Sequence, residues 1–439
     1  MASSIQTLGH ASLLLSDSQG APLLITDPWL IGSAYWRSWW LQHYPSPEEL
    51  ANITQVKYAY LTHEHPDHLH VPSIRKIGHD TTYLCPDLPD VSMSGFLRDE
   101  GFTVKTTAEC EWMPLNHEVS VLSLSLWNDD SILLIKTPTT LIINFNDAKP
   151  NKKIVARIRE IRDSINCQKV VVLSSYSPAS MVNSFVKDGT RVHVKNKKDY
   201  VEYLNGICTA LKADFFMPFA SQVVFLRSDS RWANEYKVSY EDLQTWWRTD
   251  CQLLHPYSTI DLETFAVSFV AEADYQSREA KDLPAIIQQE ETEAASRMNP
   301  DDIKNLARKF GSSRWFSAPI FSKGIGFLCN DQALMFNPWN GKVKEVSRGA
   351  LDRASFWLRI PPQSLKESLM NGHFGDLGIT MFIEINLNGR TNSRLVCLLF
   401  VLLTVDDYGH MQSIANFLRW MNSTVKRTLM SSPHIPMPN

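Results

Sequence analysis

The sequence lacks the cysteine spacing of a disulfide framework or a metal–thiolate site. Its seven cysteines are an odd number, are widely spaced and include no CxxC pair. This pattern argues against a disulfide-stapled domain, a zinc ribbon and a cysteine-ligated iron–sulfur cluster. The seven are Cys85, Cys110, Cys167, Cys208, Cys251, Cys329 and Cys397. We therefore expect a reducing, cytoplasmic environment.

Long apolar runs and a strong net charge are also missing. The longest apolar run, Leu395–Val405, is shorter than the ~20 residues that cross a bilayer, and we predict that it forms a buried strand. The N-terminus has no basic and apolar stretch of the kind that starts a secretory signal. A formal net charge of −4 provides no field that would draw the chain to nucleic acid or to a membrane. Neither partner is expected.

The chain of 439 residues, with 44% hydrophobic and 21% charged residues, is large enough for two folded domains. Apolar segments bounded by turn signals predict an α/β domain over residues 1–270, with two packed sheets and helices outside them. Residues 271–300 are predicted to be a helical linker, and residues 301–439 a smaller α+β C-terminal domain of unknown role. Within that domain, Ile379–Asn386 is predicted to be a half-buried strand and Ser413–Leu429 an amphipathic helix.

A cluster of histidines follows the predicted strand Val56–Thr62. The next residues read HEHPDH, the pattern HxHxDH, which brings three imidazoles and a carboxylate to the end of a buried strand. Such ligands together suit zinc, iron or manganese. His63 and His65 are two residues apart and can point the same way. The proline then turns the chain so that Asp67 and His68 face a neighbouring position. One loop could thus serve two adjacent metals; the alternative is a histidine-rich surface loop without a ligand.

HxHxDH after a strand resembles the signature of the metallo-β-lactamase superfamily. Leu8–Leu15 resembles its opening strand, Thr26–Trp29 a turn after its second strand, and Asn144–Asp147 a strand end whose aspartate bridges two metals. The resemblance covers about residues 1–270 and implies an αβ/βα sandwich with a metal site at one edge of the two sheets. The metal-binding residues that it implies are His63, His65, Asp67, His68 and Asp147. Asp67 is also the candidate catalytic residue.

A narrower resemblance is to the CMP-N-acetylneuraminate hydroxylase group of this superfamily. It rests on Asp27–Trp29, Tyr35–Trp40, Asn146–Asp147 and Met217–Ala220. Hydroxylases of that group also carry a Rieske iron–sulfur domain, which needs two cysteines and two histidines in paired spacing. This sequence has no such pairs, so electrons would have to come from a separate reductase.

The sequence departs from the usual hydrolases of the superfamily at two histidines. These would fall near residues 127–130 and 219–221, and neither segment contains a histidine. His117 is a nearby alternative, whereas His70 lies outside the pattern and is expected in a surface or supporting role. Three other side chains could instead complete a hydrolytic site: Asn128, Asp129 and Asp130.

The remaining ligands can be divided between two metals. If Asp147 bridges, one metal has His63 and His65 with that carboxylate, the two-histidine, one-carboxylate set typical of non-haem iron that activates dioxygen. The other metal has Asp67 and His68 with the same bridge. Occupation by a single metal is a further possibility.

An aromatic segment, Trp29–Trp40, would overhang the metal site in the implied fold. Arg37 could hold a carboxylate or phosphate group through paired hydrogen bonds, with Trp36 and Trp39 beside the substrate. The alternative is that these aromatic side chains only pack under a long loop.

Three hypotheses for function follow. The first is a metal-dependent oxygenase with two divalent ions, iron being favoured over zinc or manganese, that oxidises a small polar metabolite. The second is a hydrolase of the lactonase or phosphodiesterase type, which uses a metal-bound hydroxide. The third is a member of the fold that binds a ligand without turnover. A homodimer is possible in each case.

Overall fold

The computed structural model describes residues 3–88, 93–126, 130–177, 184–192, 196–269, 275–411 and 413–429. The strands are β1 Ser4–Leu8, β2 Ser12–Ser16, β3 Pro22–Thr26, β4 Ser33–Ala34, β5 Trp39–Leu41, β6 Tyr58–Tyr60, β7 Thr82–Pro86, β8 Thr103–Thr107, β9 Met113–Pro114, β10 Ser120–Ser125, β11 Ser131–Lys136, β12 Thr140–Asn144, β13 Lys169–Ser175, β14 Phe185–Lys187, β15 Thr190–Arg191, β16 Phe215–Phe219, β17 Val223–Phe225, β18 Gln252–Leu253, β19 Ser258–Asp261, β20 Val267–Phe269, β21 Ile325–Cys329, β22 Gln332–Asn337, β23 Lys342–Val346, β24 Phe356–Arg359 and β25 Glu384–Leu387. The α-helices are α1 Pro47–Ile53, α2 Val71–Ile77, α3 Met93–Asp99, α4 Lys152–Ser164, α5 Lys197–Leu211, α6 Tyr240–Trp246, α7 Tyr275–Ala295, α8 Pro300–Gly311, α9 Arg314–Ile320, α10 Pro362–Asn371, α11 Ser393–Asp407 and α12 Ile414–Leu429.

Two mixed sheets pack face to face in the first part of the chain. Their strand orders are β20-β19-β1-β2-β3-β6-β7-β8 and β18-β16-β13-β12-β11-β10-β9. Successive strand residues face opposite sides, so that Leu133 lies in the core between the sheets and Leu134 packs under the outer helices α4 and α5. Helices α1, α2 and α3 cover the outer face of the first sheet. The predicted αβ/βα sandwich is confirmed.

A third sheet, with the order β15-β14-β25-β24-β21-β22-β23, organises the C-terminal part. Its hydrophobic core includes buried side chains from α8, α10 and α11. Strands β14 and β15 come from the middle of the chain, and β14 pairs in parallel with β25, with Phe185 opposite Ile385. The C-terminal sheet therefore includes residues from within the range predicted to be the first domain.

The prediction of a strand over Leu395–Val405 is wrong, because this run lies inside the helix α11. Asn392 begins the helix by accepting a hydrogen bond from the Arg394 amide. Strands average about 5–6 residues, so the length of the run favours a helix. The buried side chains follow the helical repeat and include Val396, Leu399, Phe400 and Leu403.

The predicted linker is the helix α7, which packs against both parts of the chain. Ile286 joins a hydrophobic cluster with Trp40 and Leu226. The Glu293 carboxylate accepts hydrogen bonds from the amides at the start of α10. The predicted strand Ile379–Asn386 is shorter than expected, since β25 begins only at Glu384, and the predicted terminal helix is α12. Within the described ranges, no helix is both long enough and apolar enough to cross a membrane.

Candidate metal centre

The histidine loop is fixed where two neighbouring parallel strands end. β6 lies between β3 and β7, and the carboxyl ends of parallel strands meet at one edge of a sheet. Asp27 follows β3, and its carboxylate accepts hydrogen bonds from the amide of Thr62 at 2.8 Å and from its hydroxyl at 2.7 Å. The same carboxylate lies 2.9 Å from Nδ1 of His68. Asp27 thus fixes the loop and orients one of its imidazoles.

Four side chains converge in what we call the inner cluster: His10, Asp67, His68 and Asp147. His10 Nε2 lies 3.1 Å from Asp67 Oδ2, and His68 Nε2 lies 3.5 Å from both Asp67 Oδ2 and Asp147 Oδ2. One ligand atom each from His10, His68 and Asp147 can be chosen so that all lie within 4.8 Å of one another. The sequence brings these groups together from three separate strand ends.

The inner cluster contains polar atoms that lack hydrogen-bond partners. Both ring nitrogens of His10, Nε2 of His68 and Oδ2 of Asp67 are buried and, among the described residues, form no hydrogen bond. The 3.1 Å contact between His10 and Asp67 lacks the geometry of a hydrogen bond. Buried polar groups are normally satisfied, because leaving them unpaired is costly. A cation between His10 Nε2, His68 Nε2 and Asp67 Oδ2 would satisfy these three atoms, so the residues present fit a divalent metal.

His63 and His65 form a second group, the histidine pair, beside the inner cluster. His63 Nε2 lies 2.8 Å from His65 Nδ1, and the His63 ring centroid is 4.1 Å from that of His68. On its other side, His63 Nδ1 is 3.0 Å from the Thr62 hydroxyl and 3.5 Å from Asp130 Oδ1. The two imidazoles are paired with each other, so a second metal position at the histidine pair, which the resemblance implied, stays a prediction.

Burial and the charges of neighbouring groups shift the pKa values of these side chains. Burial, with the neighbouring imidazoles of His68 and His65, holds the pKa of His63 well below its usual range. Burial opposes the charged form of His68, but the carboxylates of Asp67 and Asp27 outweigh it and raise its pKa well above normal. Burial would raise the pKa of Asp67, yet His68 and His10 lower it well below normal. These shifts favour a protonated His68 next to an ionised Asp67. A bound cation would take the place of the proton on His68.

Asp147 and Asp130 occupy different sides of the centre. Asp147 lies at His68 Nε2, and interaction with His68 lowers its pKa although burial opposes this. Its placement at a strand end beside the histidine loop agrees with the prediction, while its bridging of two metals stays a prediction. Asp130 faces Nδ1 of His63, the nitrogen directed away from His65, and burial together with Asp147 raises its pKa well above normal.

His10 is the site residue that sequence reasoning missed. It lies in the turn between β1 and β2, where Gly9 has a φ of +54° and a Cβ would lie 2.7 Å from the Trp29 carbonyl oxygen. The carbonyl of His10 accepts a hydrogen bond of 2.9 Å from the Ala220 amide. Ala220 belongs to one of the two segments in which a histidine was expected. An imidazole therefore reaches this end of the sheet from another strand.

The other candidate histidines lie outside the inner cluster. His117 has a side chain that is 84% exposed and lies beside Glu118. His70 caps α2 by accepting a hydrogen bond from the Ser73 amide, and burial lowers its pKa to about 4. The supporting role expected for His70 agrees with this placement. Asn128 and Asp129 lie outside the described residues.

The aromatic segment has two faces with different contacts. Tyr35 donates a hydrogen bond of 2.6 Å to Asp67 Oδ1, and the buried ring of Trp39 packs edge-on against His10 with centroids 6.0 Å apart. Trp36 donates instead to Glu367 of α10 at 2.8 Å, and Arg37 donates to the Ala285 carbonyl of α7 at 2.5 Å. The substrate-binding roles of Arg37, Trp36 and Trp39 stay predictions, and these contacts favour packing roles.

Tyr35, Trp36 and Arg37 are three consecutive residues in the left-handed region, with φ values of 51°, 52° and 61°. Such backbone conformations cost free energy for residues other than glycine and tend to occur at functional sites. The contacts just described, to Asp67 on one side and to α7 and α10 on the other, hold this segment in place. The aromatic segment therefore couples the metal centre to the C-terminal part.

A cleft of about 670 Å³ opens beside the metal centre, between the sandwich and the C-terminal part. Tyr35 and Glu64 line it from the sandwich, and His373 and Asp376 line it from the segment after α10. Apolar side chains such as Phe96 complete its wall. Sequence reasoning did not find the contribution of the C-terminal part, because the lining residues there form no motif.

The sandwich and the buried histidine–aspartate cluster define a protein of the metallo-β-lactamase fold with a candidate divalent-metal site. No protein-family model matches the chain. Over 90 residues it is 38% identical to cytidine monophosphate-N-acetylneuraminic acid hydroxylase of Asterias rubens, and over 85 residues 38% identical to the inactive cytidine monophosphate-N-acetylneuraminic acid hydroxylase of Homo sapiens. The matches cover 20% and 19% of this chain but only 13% and 16% of the two relatives.

Similar solved structures cover a larger share of the chain. One is Igni18, a metallo hydrolase from Ignicoccus hospitalis, with 11% identity and a TM-score of 0.37 over 59% of this chain and 98% of that chain. Another is the metallo-beta-lactamase fold protein YhfI from Bacillus subtilis, with 11% identity and a TM-score of 0.37 over 59% of this chain and 99% of that chain. Similarity at this level carries no information about activity.

Proposed function

We propose that this protein is a metal-dependent oxygenase that oxidises a small polar metabolite, with iron as the favoured metal. The observation that carries the proposal is the buried inner cluster, in which facing nitrogen and oxygen atoms lack hydrogen-bond partners. His10, His68, Asp67 and Asp147 supply two imidazoles and two carboxylates, a set of nitrogen and oxygen ligands that suits iron as well as zinc or manganese. The short match to a protein of Asterias rubens named as a hydroxylase supports oxygen chemistry.

The residues around the inner cluster prepare it for a metal. Iron bound there would supply the activation of dioxygen. The Tyr35 hydroxyl satisfies Oδ1 of Asp67 and leaves Oδ2 for the metal, while Asp27 holds Nδ1 of His68 and leaves Nε2 for it. Orientation of ligands by such outer hydrogen bonds is general in metal sites. Tyr35 and Asp27 are positioning residues in this proposal.

The proposed reaction requires a source of electrons. Insertion of one oxygen atom of O₂ into a substrate C–H bond leaves the other oxygen atom to be reduced to water. This step consumes two electrons and two protons for each molecule of O₂, by the balance of the reaction. The sequence has no paired cysteines and histidines for a Rieske cluster, so a separate reductase protein is part of the proposal.

The cleft favours a substrate without a phosphate group. Its described lining contains the acidic side chains of Glu64, Asp376 and Asp407 and no arginine or lysine. An anionic sugar nucleotide would find no arginine or lysine in this described lining to pair with its phosphate. We therefore propose a neutral or weakly cationic metabolite, which differs in charge from the nucleotide-linked sugar named in the relatives.

Metal analysis combined with oxygen uptake tests the proposal. Protein purified without chelators should contain iron, and the reduced protein should consume dioxygen faster than chelator-treated protein when a chemical reductant is supplied. His10→Ala should abolish both properties, whereas the matched variant His117→Ala, changed at an exposed histidine, should keep them. Stoichiometric zinc with ester or phosphodiester hydrolysis and no oxygen uptake would favour the hydrolase hypothesis. Absence of bound metal would favour a binding protein without turnover.

A further inference from the structure

Helix α12 presents an apolar stripe to solvent. Four apolar side chains recur at intervals of four, three and four residues, which places them on one face of the helix. They are Ile414, Leu418, Met421 and Val425, with exposed fractions of 81%, 54%, 40% and 47%. A stripe of this size on a surface helix indicates an interaction site.

A different face of α12 attaches the helix to the body of the protein. The Phe417 ring lies 6.0 Å from the ring of Trp315 in α9, and Trp420 stacks on His410 with centroids 6.4 Å apart. Trp315 is itself 58% exposed. The aromatic contacts therefore hold α12 on the surface with its apolar stripe outward and an exposed tryptophan beside it.

The segment that contains the stripe is cationic. From residue 408 to residue 439 the sequence has no aspartate or glutamate. Arg419, Lys426 and Arg427 all fall within α12, and Arg419 is exposed. The net charge of −4 for the whole chain conceals this local excess. The expectation that the protein has no membrane partner rested on that average.

We propose that α12 docks the protein on the surface of an anionic membrane. The apolar stripe would lie at the level of the lipid headgroups, and the exposed Arg419 side chain would pair with anionic lipids. Basic helices with an apolar face bind membrane surfaces in this way, and tryptophan favours the same interface. A second copy of the chain fits less well, since two such helices would bring like charges together without carboxylates to pair them.

Vesicle sedimentation with the full-length chain tests this docking. The protein is mixed with vesicles of phosphatidylcholine alone or of phosphatidylcholine with phosphatidylserine, each at low and at high salt. We expect binding to the phosphatidylserine vesicles that exceeds binding to the neutral vesicles by roughly tenfold and weakens at high salt. No binding, or equal binding to both vesicles, would overturn the proposal.

Variants separate the contribution of the apolar stripe from that of the positive charge. Leu418→Glu should reduce binding to anionic vesicles by at least roughly tenfold because it places a carboxylate in the stripe. Arg419→Glu should reduce binding by a similar factor and also weaken its salt dependence. Val267→Glu, at a 37% exposed valine of β20 in the sandwich, is the matched control and should bind as the original chain does. Circular dichroism and metal content verify that each variant is folded.

Sedimentation velocity tests whether a second copy of the chain, and not a membrane, covers the apolar stripe. The docking proposal expects the chain to show the same sedimentation coefficient with and without Leu418→Glu in the absence of vesicles. A dimer that Leu418→Glu converts to a monomer, together with absence of vesicle binding, would show that a second copy covers the stripe. That result would overturn membrane docking.

Discussion

Two buried clusters of charged side chains in this protein differ in whether their atoms are satisfied. In the C-terminal part, Lys309 Nζ donates to the carboxylates of Asp406 at 2.9 Å and Asp407 at 2.7 Å, and to the Leu403 carbonyl at 2.6 Å. Asp407 accepts a further hydrogen bond from the Gly375 amide. The inner cluster is buried except for Asp147, whose side chain is 36% exposed, yet four of its atoms lack hydrogen-bond partners within the described chain.

The difference shows how a structural ion pair can be told from a ligand site. The lysine cluster offsets the cost of its buried charges with internal partners, so it is complete as the chain folds. In the inner cluster, imidazole nitrogens and a carboxylate oxygen face one another without hydrogen-bond partners. Binding of a partner from outside would offset the cost of leaving such buried groups unpaired.

The largest expected effect is on the unsatisfied cluster. His10→Ala should lower metal content and reduce activity by at least roughly a hundredfold, because it removes a ligand. The chelator-treated variant should lose only the packing of the His10 ring against its aromatic neighbours, since the imidazole forms no hydrogen bond within the described chain. Metal analysis and urea unfolding measure the two quantities. If this variant kept its full metal content, His10 would not be a metal ligand, and the contrast between the inner cluster and the Lys309 cluster would lose its main support.

The converse experiment alters the satisfied cluster. Lys309→Met should lower the free energy of unfolding by about 3–5 kcal/mol, because it leaves two buried carboxylates without their cation. Metal content per folded chain should stay unchanged. Lys304→Met is the matched control on the same helix; Lys304 is exposed and paired with Asp301, so the expected loss is below about 1 kcal/mol. Similar losses in the two variants would mean that the Lys309 cluster contributes no more than a surface pair.

A substitution at Asp147 tests whether this residue binds only a metal in the inner cluster or also a metal at the histidine pair. Asp147→Asn keeps the size of the side chain and removes its charge. We expect the variant to bind less than half the metal of the original chain, because a bridging carboxylate serves both ions. Measured metal per chain decides the question. Retention of one ion at near full occupancy would confine Asp147 to the inner cluster and would leave the histidine pair independent of it.

The smallest effect concerns a carboxylate that belongs to neither cluster. Burial, followed by the charges of Glu64, Asp407 and Asp67, raises the pKa of Asp376 well above normal. Its ionised form is thus disfavoured in the folded protein, and the cost grows as pH rises above the unfolded pKa of about 3.9. Asp376→Asn should therefore stabilise the metal-free protein at neutral pH by about 1–3 kcal/mol, a gain that disappears toward pH ~4.

Urea unfolding of metal-free protein at neutral and acidic pH measures this gain. Asp352→Asn, at an exposed position, provides the control and should change stability little at either pH. A gain for Asp376→Asn that is equally large at both pH values would show that the charge of Asp376 is not its cause.

The part of the site that is local in sequence could be predicted, and the part that depends on long-range packing could not. His63, His65, Asp67 and His68 occupy one short loop, so their spacing alone indicates a metal site. His10 lies 53 residues before His63. It reaches the cluster only because β1 and β2 pair and because Ala220 contacts its backbone. No spacing rule contains that information.

The fold shows the same division. Alternating apolar segments predicted the two layers of the sandwich, because strand periodicity is local. The run Leu395–Val405 was predicted to be a strand but forms a helix. A continuous apolar stretch has no period that distinguishes a buried strand from a buried helix. The contribution of Asp376 to the cleft depends on how the C-terminal part packs on the sandwich, which no segment of the sequence encodes alone.

The pairing of β14 with β25 has a consequence for how the chain folds during synthesis. Phe185 leaves the ribosome 200 residues before its partner Ile385. Until the later strand arrives, β14 has an unpaired hydrogen-bonding edge, and Phe185, fully buried in the finished protein, remains exposed. Such edges invite association with other nascent chains. During this interval we expect the nascent chain to benefit from chaperone protection.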